Sequence, residues 1–231
     1  MKWRAFATDF DGTIATDGTV DQTTMEALRR VRAAGLLTLL VTGRQMEDFE
    51  AAPEILTLFD LIVAENGGLV HSPATRESVI VGHPPPPEFV EELIRQNIPV
   101  SVGHSIVATV EPHEVAVLEI IKAQALELQV IFNKGAVMIL PAGVNKATGL
   151  QAALAPHNIP LSEVVAVGDA ENDHVFLESC GLSVAVANAL PALKERVHYL
   201  TPSNAGAGVT ELINALLAGQ LDTLSPVKEA A

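Results

Sequence analysis

Asp9 and Asp11 flank Phe10 at the end of the short apolar stretch 3–7, and Gly12-Thr13 follows at once. In an extended chain residues i and i+2 point to the same side, so the two carboxylates are neighbours. Two like charges at a strand tip are unfavourable unless they bind a cation or share a proton. Gly12 lets the chain turn sharply, and Thr13 can satisfy backbone groups around the turn.

Three further clusters have the same character. Thr42-Gly43-Arg44 follows the apolar run 36–41, where a hydroxyl and a glycine amide can hold a phosphate oxygen. Lys146 opens a helical pattern after Gly143-Val144-Asn145. A helix start favours negative charge, so a lysine there is explained by a buried anion nearby. Gly168-Asp169-Ala170-Glu171-Asn172-Asp173 brings more carboxylates to the end of the apolar run 164–167. Taken singly, these are an ordinary turn, a solvated lysine and a turn with an N-cap. All four in one chain, each at a strand end or a helix start, leave those readings little room and point to a ligand site.

The elements that must place these residues alternate between strand and helix. Residues 3–8, 36–41 and 61–64 read as strands. Residues 21–34 read as a helix that Asp21 caps and Gly35 stops, with Met25, Leu28, Val31 and Ala34 at helical spacing. Residues 45–58 read as a second helix, broken at Pro53. This order predicts an α/β fold with a doubly wound parallel sheet of Rossmann-like type. Residues 69–71 and 78–81 read as a hairpin, and the proline run 84–87 as a stiff connector or helix entry. Helices at 88–96 and 113–126 and strands at 107–111, 129–132 and 137–140 then form a small α/β insertion. The first pattern resumes with helices at 145–154, 171–178, 190–195 and 208–217 and strands at 164–167, 182–186 and Tyr199. The expected division is a core of 1–82 and 141–219, an inserted unit of 83–140, and a tail of 220–231 that is disordered or a linker.

Composition narrows the partners. The 231 residues carry 28 acidic and 14 basic side chains, a formal net charge of -14. That excess argues against nucleic acid and anionic membrane, whose phosphates need Lys and Arg. It leaves room for a small anionic substrate held by local cations and a metal. Cys180 is the single cysteine, read as a buried packing residue. No stretch has the pattern of a signal peptide or a membrane span, and the cytoplasm is the expected location.

The chain resembles the haloacid dehalogenase-like (HAD) superfamily of phosphohydrolases. The four motifs stand here as Asp9-Phe10-Asp11-Gly12-Thr13, Thr42-Gly43, Lys146 and Gly168-Asp169-x-x-Asn172-Asp173, in the family's order. The insertion between the second and third is similar in position to the type-2 cap of the Cof-like, type IIB branch. Glu65-Asn66-Gly67, 185–189 and Thr201-Pro202-Ser203-Asn204 also resemble that branch.

The resemblance implies a Mg²⁺-dependent phosphatase that acts on a small phosphorylated metabolite, a sugar phosphate or phosphoglycolate-like acid. Asp9 would form an aspartyl-phosphate, and Asp11 would serve as general acid and base. Thr42, the Gly43 amide and Lys146 would hold the phosphoryl group. Mg²⁺ would be held by Asp9, the Asp11 main-chain carbonyl and Asp169, with Asp173 and Asn172 orienting metal waters and Lys146. Arg44, Asn66 and the cap turn Asn133-Lys134-Gly135 are candidates for the leaving group. Met138 stands where the branch often has Glu, and His174-Val175 follows Asp173 where an apolar pair is common, so substrate preference carries over least. Two alternatives remain open: a phosphomutase, or a slow regulatory module that binds a phosphometabolite. Monomer and homodimer are both compatible with the sequence.

Overall fold

The central strand, β1 (Ala5–Thr8), is buried along its whole length. It pairs in parallel on both sides, with Ala5 in register with Leu37 on one and Val164 on the other. In the computed structural model, which describes residues 2–49 and 52–222, the chain winds outward from this strand. It passes through α1 (Gln22–Ala33), β2 (Leu37–Val41), the one-turn helix α2 (Pro53–Leu56) and β3 (Leu61–Ala64). The antiparallel hairpin of β4 (Leu69–Ser72) and β5 (Glu77–Ile80) extends that edge. A second sheet with its own two helices follows, in the order α3 (Pro87–Arg95), β6 (Ser101–Val102), β7 (Val107–Val110), α4 (Glu114–Ala123), β8 (Leu128–Asn133) and β9 (Ala136–Pro141). The chain then returns through α5 (Lys146–Leu154) to β10 (Val164–Gly168), on the other side of β1. It continues through α6 (His174–Ser179), β11 (Leu182–Ala185), α7 (Pro191–Lys194), β12 (Tyr199–Leu200) and α8 (Ala205–Leu217).

The main sheet has the order β12-β11-β10-β1-β2-β3-β4-β5, parallel from β12 to β3. The winding direction reverses at β1, as expected of a doubly wound α/β fold. That reversal opens a crevice beyond the carboxyl ends of β1 and β10, where ligands bind in such sheets. The strands are continuous apolar runs because both faces of the sheet are covered.

Local chemistry explains the boundaries. Asp21 caps α1 by accepting from the Thr24 amide at 3.0 Å, and Gly35, at φ 89°, turns the chain away. Ala27, Leu28 and Val31 face the core, and each of the larger two contributes about 1.5–3 kcal/mol by burial. The helix expected over 45–58 is a 3₁₀ turn at Met46–Phe49 and then α2, which starts at Pro53; residues 50 and 51 lie outside the described residues. Proline begins a helix readily and cannot continue one. The last helix starts three residues earlier than the apolar pattern predicts, at Ala205, whose amide donates to Asn188 Oδ1 at 2.7 Å. Strand β6, two residues long, has no periodicity to read. Cys180 is buried, and burial pushes its thiol well up, so it packs rather than reacts. Among the described residues no helix is long and apolar enough to cross a membrane. Most of the expected tail, from residue 223, lies outside the described residues.

The smaller sheet is antiparallel, in the order β6-β7-β9-β8. Alternation along β9 gives it two apolar faces. Val137 and Ile139 join Phe89, Leu93, Val117 and Ile120 under α3 and α4. Met138 and Leu140 point the other way and pack with Ile106 and Val144. The face carrying Met138 is the one turned toward the crevice, because a Cβ on Gly43 would come within 3.0 Å of the Met138 methyl.

Candidate active site

Strand β1 delivers Asp9 to the crevice, with its amide bonded to the Val167 carbonyl of β10 at 3.0 Å. Its side chain is buried and held at both oxygens. Lys146 Nζ donates to Oδ1 at 2.5 Å, and Thr13 Oγ1 lies 3.1 Å from Oδ2. Lys146 is the first residue of α5, fixed there by a capping box between Asn145 and Thr148. Its ammonium also donates to Asp173 Oδ1 at 2.6 Å. Asp173 in turn accepts from the amides of Asp169 and Ala170 at 2.8 and 2.9 Å, which tightens Glu171–Asp173 into a 3₁₀ turn before α6. Both Asp173 oxygens are thereby engaged in positioning the loop and the lysine.

The carboxylates of Asp9, Asp169 and Asp173 form a buried group in which one oxygen of each lies within 4.8 Å of the others. Among the described residues they face one buried ammonium, Lys146, so the pocket has an excess of negative charge. A second ammonium reaches it from the smaller sheet. Lys134, in the turn between β8 and β9, donates to the Asp11 main-chain carbonyl at 3.0 Å and to Asp169 Oδ2 at 2.9 Å. These are two of the oxygens to which the resemblance assigns Mg²⁺. A cation therefore fits between them, and carboxylate and carbonyl oxygens are the donors that suit Mg²⁺.

Asp11 and Arg44 form a fork-to-fork pair, with Arg44 Nε and Nη2 donating to the two carboxylate oxygens at 2.8 and 2.7 Å. The guanidinium lies over Phe10 at 4.8 Å, and Phe49 packs edge-on against that ring. Arg44, expected to face the leaving group, is thus engaged with the residue expected to protonate it. Thr42 is buried, and its Oγ1 accepts from the Arg44 amide at 3.1 Å. Asn172 Nδ2 would lie 3.6 Å from a Cβ on Gly43, and it donates to Asn66 Oδ1 at 2.9 Å. Asn66 Nδ2 is buried without a hydrogen-bond partner among the described residues, an unused donor beside the Thr42 loop. A cavity of about 210 Å³ opens on Asp9, Asp11, Gly43, Arg44, Asn133 and Met138.

The electrostatics follow from this crowding. Burial and the Asp173 carboxylate push Asp9 up from the usual carboxylate range to about 7, while Lys146 pulls it down. Burial alone would lower the Lys146 ammonium, but Asp173 and Asp9 outweigh it and hold it above the ordinary lysine range. Burial also raises Asp169, against the Lys134 hydrogen bond. Asp9 titrates higher folded than unfolded, so the folded protein binds the extra proton between about pH 4 and 7. That contribution to stability is present at low pH and is lost as pH rises through about 7. Calorimetry of the metal-free protein should show a lower Tm near about pH 8 than near about pH 6. Titration with Mg²⁺ should release protons and weaken by up to about tenfold per pH unit below about 7. A metal-free Tm that rises over this range would contradict the assignment.

A family model described as haloacid dehalogenase-like hydrolase matches residues 6–111 and 108–213. The chain belongs to the haloacid dehalogenase-like hydrolases. Among curated relatives of this family, a phosphoglycolate phosphatase of Methanothermobacter thermautotrophicus is 29% identical over 222 residues, covering 93% of this chain and 99% of the relative. A phosphoglycolate phosphatase of Archaeoglobus fulgidus is 28% identical, covering 94% and 98%. Among solved structures, a haloacid dehalogenase-like hydrolase from Bacteroides thetaiotaomicron matches with TM-score 0.80 at 19% identity, over 93% of this chain and 99% of that one. A HAD subclass IIB sugar phosphatase matches with TM-score 0.75 at 18% identity, over 92% and 98%. These structural likenesses show a shared fold.

The structure gathers Asp9, Asp169, Asp173 and Lys146 into one buried cluster, with Asp11, Thr42, Gly43, Arg44, Asn66 and Asn172 around it. His174 pairs with Glu178 one turn along α6. Thr13, expected to satisfy backbone groups at the turn, instead places its hydroxyl on Asp9 and Asp169. Asn188, in the 185–189 stretch that had no role assigned, donates from Nδ2 to the Gly12 carbonyl at 2.7 Å and accepts from the Ala205 amide, tying the Asp9 loop to α8. No local pattern announces a contact between residues 176 positions apart.

Proposed function

We propose that this protein is a Mg²⁺-dependent phosphatase that hydrolyses a small phosphorylated acid of the phosphoglycolate type through an aspartyl-phosphate. The observation that carries the reading is the Asp9–Lys146–Asp173 chain, which fixes a carboxylate at the crevice between β1 and β10. Asp9 attacks phosphorus, and the bond from phosphorus to the leaving oxygen breaks. The Asp11 carboxyl gives its proton to that oxygen. As a carboxylate, Asp11 then takes a proton from the water that attacks the aspartyl-phosphate, and Asp9 is regenerated. Thr42, the Gly43 amide, Asn172 and Lys146 hold the phosphoryl oxygens, and Lys146 offsets charge on phosphate and Asp9. Asp9, the Asp11 carbonyl and Asp169 would hold Mg²⁺, which supplies charge neutralisation at the phosphoryl oxygens. Asp173 keeps Lys146 and the Asp169 loop in place.

The substrate class rests on size and charge. A cavity of about 210 Å³ is smaller than the usual pocket for a drug-sized ligand. Residues 83–140 act as the cap that closes it, Arg44 lines it as a cation for a second anionic group, and Lys134 stands beside it on Asp169. A substrate carboxylate competes with Asp11 for the Arg44 fork, freeing Asp11 to carry its proton. The curated relatives named phosphoglycolate phosphatase support the same class.

The test is phosphate release from phosphoglycolate, hexose phosphates and a generic aryl phosphate, with and without Mg²⁺. Phosphoglycolate should have the highest kcat/KM, and release should stop when Mg²⁺ is chelated. A preference for hexose phosphates would overturn the substrate class. Transfer to a second sugar hydroxyl without free phosphate would make the protein a mutase.

A further inference from the structure

Glu65 follows β3 and has no part in the chemistry above, yet its carboxylate is fully buried and, among the described residues, its side-chain partners lie in the turn between β6 and β7. It accepts from the amides of His104, Ser105 and Ile106 at 2.9, 2.6 and 3.0 Å, and lies 3.2 Å from His104 Nδ1. The approach is close, since a Cβ on Gly103 would fall 2.7 Å from the Glu65 carboxyl carbon. Three amide donors converging on one carboxylate make a directional, charge-assisted grip on the turn that joins β6 and β7.

The segment that carries Glu65 also touches the phosphate site at three places. The Glu65 and Asn66 amides donate to the Arg44 and Thr42 carbonyls, both at 2.9 Å. Asn66 Oδ1 receives Asn172. Gly67 lies so close to α5 that a Cβ would fall 2.0 Å from the Asn145 carbonyl and 3.0 Å from the Lys146 amide. Glu65 and Asn66 both adopt left-handed backbone, at φ 52° and 53°. Non-glycine residues avoid that region unless the surroundings enforce it, and here hydrogen bonds do so on both sides.

We infer that Glu65 is a positioning residue that couples the seating of the smaller sheet to the Thr42 loop, Asn172 and Lys146. The inference rests on the phosphatase reading for its kinetic consequence only. Amides near Lys146 and Asn172 respond to Glu65 whether or not the substrate class is right.

The experiment compares wild type, Glu65→Gln, Gly103→Ala and the double variant by hydrogen exchange and steady-state kinetics. Gln keeps the shape but replaces one acceptor oxygen with a donor facing the amides. Gly103→Ala disturbs the same contact from the other side, so a failure of Glu65→Gln to fold leaves the test intact. Coupling predicts faster exchange at 104–106 and also at 146–148 and 172. It predicts kcat about tenfold to a hundredfold lower even on a small aryl phosphate, with KM moving less. The double variant should be no worse than the worse single one. Faster exchange confined to 104–106, with wild-type kcat and a shift in KM alone, would overturn the coupling. A wild type without turnover would overturn the phosphatase reading instead, and the exchange pattern would still decide the coupling.

Discussion

Asp9→Asn is expected to lower turnover by about 10⁴-fold or more on every phosphate ester, while the protein stays folded. The amide has nearly the shape of the carboxylate but is a poor nucleophile toward phosphorus. Lys146 keeps its 2.6 Å bond to Asp173, so its charge is not stranded. The substitution also removes one of three crowded buried carboxylates, a group that burial and Asp173 already push toward its protonated form. The metal-free Tm should therefore hold or rise, and Mg²⁺ should bind more weakly if Asp9 is one of its oxygen ligands, as proposed. Lost activity with a retained Tm separates a chemical role from a structural one. Residual turnover above about one per cent would assign the nucleophile elsewhere.

The second large effect is expected at Asp11, and it should depend on the leaving group. On the proposed mechanism, Asp11→Asn would remove the proton donor for the departing oxygen and the base for the water, a loss of about 10²–10⁴-fold on an alkyl phosphate. An aryl oxide leaves without a proton, so formation of the aspartyl-phosphate from an aryl phosphate should persist. Its breakdown still needs the base. The variant should then release one equivalent of phenol per site in a burst and stall. Arg44 keeps the carbonyl oxygen of the substituted amide to bind, and the stacking on Phe10 holds it in place. Equal losses on alkyl and aryl substrates, with no burst, would remove Asp11 from the acid–base role.

The features legible in the sequence are local ones. Asp9, Asp11, Thr42, Gly43, Lys146 and Asp169 each sit at a strand end or a helix start, where a short apolar run and a turn residue mark the boundary. The bounds of α1 were legible for the same reason, in Asp21 and Gly35. What was hidden depends on tertiary seating. Lys134 meets Asp169 only because the β8–β9 turn folds over the crevice, and nothing in Asn133-Lys134-Gly135 states where the turn points. Arg44 read as a substrate contact because its pairing with Asp11 spans 33 residues. Glu65 read as part of a turn because its partners belong to another sheet. The helix expected over 171–178 was replaced by a 3₁₀ turn and a shorter helix once Asp173 bonded back to the Asp169 and Ala170 amides.

The central claim is that a phosphoryl group passes through Asp9. The most direct measurement is acid quench of the Asp11→Asn variant, with Mg²⁺ and an aryl phosphate, followed by mass mapping of the peptides. One phosphoryl group is expected on the peptide that contains Asp9, appearing with the phenol burst and before free phosphate. Phenol and free phosphate released together with no phosphopeptide at any time, or a phosphoryl group on another residue, would contradict it.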